Sequence, residues 1–255
     1  MRAARPQPFE PEHAGADLVL GSRGYRRGLY APRGTAPAGI VIHTTGAGPT
    51  RRFEDERERR RHGYRSPFDA ALRIYAELMN AGPHYLVGQQ GQVAQLAPES
   101  LCAWHVGGRK AQRYHRERWQ TPHTRWWERR WDLRSPRDLA GGRLWAPYVA
   151  PPSLRVRWAA WMARGSCNAN TLGIEVVPSD EFASGPWSAA CWDALTGLIF
   201  DLASRHAIPL EREHVLTHSD AHPLARSAHN APWDTSAEQF VWDRFVGHAA
   251  LRSSL

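Results

Sequence analysis

Gly39-Ile40-Val41-Ile42-His43-Thr44-Thr45 is the stretch from which the fold can be read. A short aliphatic, β-branched run closed by histidine reads as a buried strand that delivers an imidazole at its polar end. His214-Val215-Leu216-Thr217-His218-Ser219-Asp220 repeats the pattern about 175 residues later. Neighbouring strands of one sheet would bring His43 and His218 together, and two converging imidazoles suggest a metal. His229 follows eleven residues after His218, on a loop-like stretch. Three neutral nitrogen ligands and one open position make the arrangement of a hydrolytic zinc site.

The other elements follow outward from these runs. Ser66-Pro67-Phe68-Asp69 has the form of a capping box with proline at the first helical position. It opens a helix to about Asn80, with Ala71, Ile74, Tyr75 and Leu78 on one face. Residues 84–88 and 92–96 read as a hairpin around a Gln-Gly turn. Thr171 to Val177 is a further strand. Ser184-Gly185-Pro186 starts a long helix to about His206, with Leu195, Leu198, Ile199 and Leu202 inward. Ser236 caps a last helix that carries Phe240, Val241 and Phe245. The order β-α-β-β-(insertion)-β-α-β-α predicts an α/β domain: a single mixed β-sheet flanked by helices. Residues 1–36 read as an N-terminal arm and 37–255 as the main domain. That domain is interrupted at about 109–167 by an Arg- and Trp-rich insertion.

Composition sets the boundaries. The chain has 255 residues and is 42% hydrophobic, enough for a substantial core. No run of about 18 apolar residues occurs, so no membrane span is expected. The first residues lack the apolar core of a signal peptide. The expected location is therefore cytoplasmic, or outside the cell by a route that needs no such leader, as for a phage lysin or a secretion-system effector. The three cysteines are widely spaced, have no C-x-x-C pattern, and read as buried, inert thiols. A net charge of +8 favours a polyanionic partner such as wall polymer, a membrane surface or nucleic acid. Of the twelve tryptophans, seven lie between Trp119 and Trp161. They suit either sugar or base stacking or a Trp-rich helical core. No nucleic-acid motif accompanies them, and nucleic acid is not the expected partner.

Five segments, in order, resemble the zinc-dependent type 2 N-acetylmuramoyl-L-alanine amidases, which share their fold with peptidoglycan recognition proteins. They are Ile40 to Thr45; Pro83-His84-Tyr85-Leu86-Val87 with Gly91 to Pro98; Ala103-Trp104-His105-Val106-Gly107; Asn168 to Glu175; and His218-Ser219-Asp220 with Pro223. The resemblance covers roughly 35–108 and 167–245. It implies hydrolysis of the amide between N-acetylmuramic acid and L-alanine, in peptidoglycan or muropeptides, with Zn2+ as cofactor.

Position by position, the resemblance makes His43 and His218 zinc ligands and Glu175 the residue that deprotonates the attacking water. The family's third ligand is an Asp or Cys within R-K-x-D-P-G. Aligning Arg226 with that arginine places His229 on the ligand position, with His222, Asp220 and Asp234 as alternatives. Three neutral imidazoles would leave the metal more cationic than two imidazoles and a carboxylate do. The family's lysine in this motif, which is associated with stabilising the oxyanion, is Ser227 here. Its absence keeps a second reading open: a non-catalytic peptidoglycan-binding module of the same fold. His105, Trp104, Asn168 and Arg226 are candidate substrate contacts. Neither stem-peptide preference nor oligomeric state is written in the sequence.

Overall fold

The computed structural model describes residues 9–45, 63–106, 167–178, 187–212, 214–218, 242 and 244–247. Its elements in chain order are β1 (Leu18–Val19), α1 (Arg23–Arg26), β2 (Ala31–Pro32), β3 (Gly39–Thr44), α2 (Pro67–Arg73), β4 (Tyr85–Val87), β5 (Val93–Gln95), β6 (Leu101–Cys102), α3 (Cys167–Asn170), β7 (Thr171–Val176), α4 (Ala189–His206) and β8 (Val215–Thr217). Six strands form one sheet in the order β1-β5-β4-β7-β3-β8, and β2 and β6 make a separate two-stranded ribbon. Strands β4, β7, β3 and β8 run parallel, and β5 turns back antiparallel to β4. The fold is thus a mixed sheet with helices on its faces, as the element order predicts.

Strand β3 sits between β7 and β8, and all six of its residues are buried. A strand covered on both faces needs a continuous apolar run, which is how its sequence reads. Side chains alternate between the faces. Ile40, Ile42, Leu172, Ile174, Tyr85, Val87 and Val215 all pack into one core with Trp192, Leu195, Leu198, Ile199 and Leu202 of α4. Full burial of such side chains is worth about 1.5–3 kcal/mol each. The alternate residues, including Val41, His43, Gly173, Glu175 and Leu216, therefore face the other way. On that side Leu86, Ala94 and Leu96 pack with Ala71, Leu72 and Tyr75.

Helix α2 begins as its sequence predicts: the Ser66 hydroxyl accepts from the Asp69 N–H at 3.1 Å, with Pro67 next in line. It then departs from expectation. Ile74–Leu78 forms a π-turn, closed by the Met79 N–H on the Ile74 carbonyl, and Met79 is extended. The wider turn shifts the helical phase. Leu78, expected inward, is 54% exposed. The Arg23 guanidinium donates to the Glu77 and Leu78 carbonyls, and that of Arg26 to the Ala76 carbonyl.

Helix α4 is capped by Ser188 rather than started at Ser184: the Ser188 hydroxyl accepts from the Cys191 N–H at 3.0 Å. It ends at Ala207, a left-handed residue with φ of 52°, while the Ile208 N–H reaches back to the Ala203 carbonyl. The hairpin forms as expected, with Gly91 at φ of 84° in its turn. Residues 244–247 are helical, and Phe245 joins the main core. The rest of the expected last helix and the 109–166 part of the expected insertion lie outside the described residues.

Candidate functional site

His43 and Glu175 are direct cross-strand partners on β3 and β7. Opposed residues of a parallel pair point to the same face, so imidazole and carboxylate stand side by side. His218 follows β8 by one residue and continues the face that Leu216 shares with Val41. All three groups lie at the carboxyl ends of parallel strands, where open α/β sheets form their ligand crevices.

The His43 Nδ1 lies 2.7 Å from the His218 Nδ1, with the rings nearly perpendicular at 77°. Both rings are buried, at 1% exposure each. Two imidazole nitrogens at this distance share a proton, and a cation between them needs more room. Zinc sits about 2.0–2.1 Å from imidazole nitrogen, so a tetrahedral pair needs its nitrogens to part by roughly 0.6 Å more. Two sp² donors converging from the ends of adjacent strands fit such an ion. Among the described residues no group of three metal-ligating side chains occurs. His229, Arg226, Ser227 and the alternatives His222, Asp220 and Asp234 all lie outside the described residues.

A third imidazole enters from the loop after β6. The His105 Nδ1 is 3.0 Å from the His43 Nε2, and its Nε2 is 3.3 Å from both the carbonyl and the hydroxyl of Thr171. Burial pushes the His105 pKa down to about 3, which leaves the ring neutral. Gly173 makes the space for it: a Cβ there would lie 2.4 Å from the His105 Cγ. Asn168 holds the loop, its Oδ1 accepting from the N–H groups of His105 at 3.2 Å and Val106 at 2.8 Å. The structure thus turns His105 and Asn168, both expected at the substrate, inward onto protein partners. Their exposures are 7% and 5%. Trp104 is the outward member of this segment, 38% exposed, with its ring 6.0 Å from Tyr30.

Behind His105 lies His84. Its Nδ1 accepts from the Gly173 N–H at 3.0 Å, so its proton is on Nε2, which donates to the Leu101 carbonyl at 2.9 Å. Burial drives its pKa well below the ordinary histidine value. Arg33 locks the same region, donating to the carbonyls of Glu99, Leu101, Asn168, Ala169 and Thr171. The sequence reading did not single out Arg33. Cys167 and Cys191 are free, and burial pushes both thiols up to about 12. Tyr85 is a core residue whose hydroxyl donates to Glu99.

Solved structures with a similar outline include a selenomethionine derivative of AmpD, at 18% identity and a TM-score of 0.43 over 92% of this chain and 95% of that one. The Ph2119 endolysin from Thermus scotoductus MAT2119 bacteriophage Ph2119 is 20% identical, with a TM-score of 0.38 over 80% of this chain and 86% of that one. The endolysin LysCS from Clostridium intestinale URNW is 13% identical, with a TM-score of 0.35 over 82% and 86%. No curated protein matches the chain. Among the described residues no helix is long and apolar enough to cross a membrane. The family of N-acetylmuramoyl-L-alanine amidases matches residues 33–234, which is most of the sequence and includes every candidate site residue, and the chain belongs to that family.

Proposed function

We propose that this protein is a zinc-dependent hydrolase of the amide bond between N-acetylmuramic acid and L-alanine in peptidoglycan or muropeptides. The observation that carries the reading is the meeting of His43, His218 and Glu175 on one face, at the carboxyl ends of three adjacent strands. His43 and His218 would hold the metal, with His229 as the third ligand. When bound, zinc lowers the pKa of a coordinated water and polarises the scissile carbonyl. Glu175, beside His43, takes a proton from the attacking water and returns it to the leaving amine. Trp104 offers an exposed ring to the substrate, and Arg226 a cation for its carboxylates. Muropeptides inside the cell, or the wall itself, are the proposed sites of action.

The absence of the family lysine at Ser227 favours one competing reading, a module that binds wall without cutting it. Metal content and release of peptides from purified wall separate the two. Cleavage that stops on chelation and returns with zinc supports the hydrolase. Glu175→Gln should keep the metal and lose about 10²–10⁴-fold in turnover. Wall binding that persists with no release by the zinc-loaded wild type refutes the hydrolase reading.

A further inference from the structure

We infer that His105 is a positioning residue: it fixes His43 in the tautomer that carries its proton on Nε2, so that the Nδ1 lone pair is presented to a metal ion. The inference rests on His43 being a ligand, as proposed above, and adds what makes it one.

The proton positions follow from the acceptors. The Thr171 hydroxyl donates to the Cys167 carbonyl at 2.7 Å, so towards His105 its oxygen can only accept. The Thr171 carbonyl can only accept. Both oxygens face the His105 Nε2 at 3.3 Å, so that nitrogen carries the hydrogen. A neutral imidazole has one N–H, which leaves the His105 Nδ1 as an acceptor. The His43 Nε2, 3.0 Å away, is then the donor. A neutral His43 that donates from Nε2 has its lone pair on Nδ1, the atom that meets His218. The opposite tautomer would set two lone pairs against each other in a buried site. A hydrogen bond on the remote nitrogen is the usual means by which a ligating histidine is oriented and its proton placed.

The surroundings of His105 serve this single contact. Asn168 grips its backbone, Thr171 sets its proton, and Gly173 leaves room for its ring. The segment Asn168 to Glu175 therefore works on both rings, orienting His105 and placing a carboxylate beside His43.

The test uses the full-length protein. In the metal-free, ¹⁵N-labelled wild type, long-range ¹H–¹⁵N spectra should show the His43 proton on Nε2, with His43 assigned from a His43→Gln sample. Zinc affinity is measured by competition with a chelator. His105→Phe keeps a ring but offers no acceptor, and its zinc Kd should rise by about 10–100-fold. His105→Asn returns an oxygen near the position of Nδ1 and should recover most of that loss. A merely structural role would weaken zinc binding only in step with thermal stability and would leave the His43 tautomer unmoved. A His43 proton on Nδ1 in the wild type, or an unchanged zinc Kd in His105→Phe, overturns the inference. The wild-type spectrum needs no His105 variant and decides even if His105→Phe fails to fold. Wild-type protein that binds no zinc at all would instead sink the hydrolase reading, while the spectrum still tests His105.

Discussion

A Gly173→Ala substitution adds one methyl group where β7 passes beneath the His105 ring. The new carbon would lie 2.4 Å from the ring Cγ, 2.6 Å from Nδ1 and 2.8 Å from Cβ. Carbon atoms pack best at about 3.5–4.0 Å, so the ring must retreat by about 1 Å. A retreat of that size away from β7 stretches the 3.0 Å contact between the His105 Nδ1 and the His43 Nε2, which has little slack before hydrogen-bond range ends at about 3.2 Å. Overpacking costs about 1–3 kcal/mol and an unmade buried hydrogen bond about 1–3 kcal/mol, so the expected loss is about 2–6 kcal/mol. Urea unfolding of the metal-free protein reads it as a lower midpoint at unchanged slope. A second background sharpens the measurement. In His105→Gly the ring and its Cβ are both gone, which removes all three of the atoms nearest the new methyl, and Gly173→Ala should cost less than about 1 kcal/mol there. Equal losses in both backgrounds would refute the argument, because the cost would then belong to the strand and not to the ring above it.

Other outcomes follow from the same structure. Burial alone would raise the Glu99 pKa, but hydrogen bonds from Arg205, Tyr85 and His206 outweigh it and hold the carboxyl below its ordinary 4.5. A group depressed on folding stabilises above its unfolded pKa and loses that contribution as pH falls through the folded one. The wild type should therefore lose stability on acidification below about pH 4.5, and Glu99→Gln should flatten that limb of a melting-temperature profile. Ala207→Gly should raise stability by about 1 kcal/mol, since Ala207 bears a left-handed φ of 52° that glycine adopts freely. Denaturant midpoints check it. His218→Ala should lower zinc content measured by metal analysis, while thermal unfolding of the metal-free protein remains cooperative.

The parts of the fold legible in sequence were those that bury apolar surface in a regular pattern. Strands β3, β7 and β8 announce themselves because they are covered on both faces. Helix α4 does so because Leu195, Leu198, Ile199 and Leu202 recur at helical spacing. The meeting of His43 and His218 followed from two strands ending in the same residue type. Short elements held by backbone partners left no pattern. Strand β1 is two residues long and is fixed by the Asp17 and Leu20 N–H groups on the Val93 and Gln95 carbonyls. The carbonyls of the π-turn are met by arginines some fifty residues upstream. The inward turn of His105 had one available sign: a glycine inside a strand, at position 173, marks a close approach by something else. The Glu99 cluster joins Tyr85, Arg205 and His206 over long sequence separations, and no local spacing encodes that.

Arg33 has a kinetic consequence. The carbonyls it gathers lie 66 to 138 positions along the chain. Such bonds can form only after the long loops between them have closed, and that closure is entropically slow. The guanidinium thus locks an assembly already brought together by the apolar strands. Loss of its fork, as in Arg33→Lys, should leave the refolding rate nearly untouched and show itself as faster unfolding, a shortened lifetime of the native site.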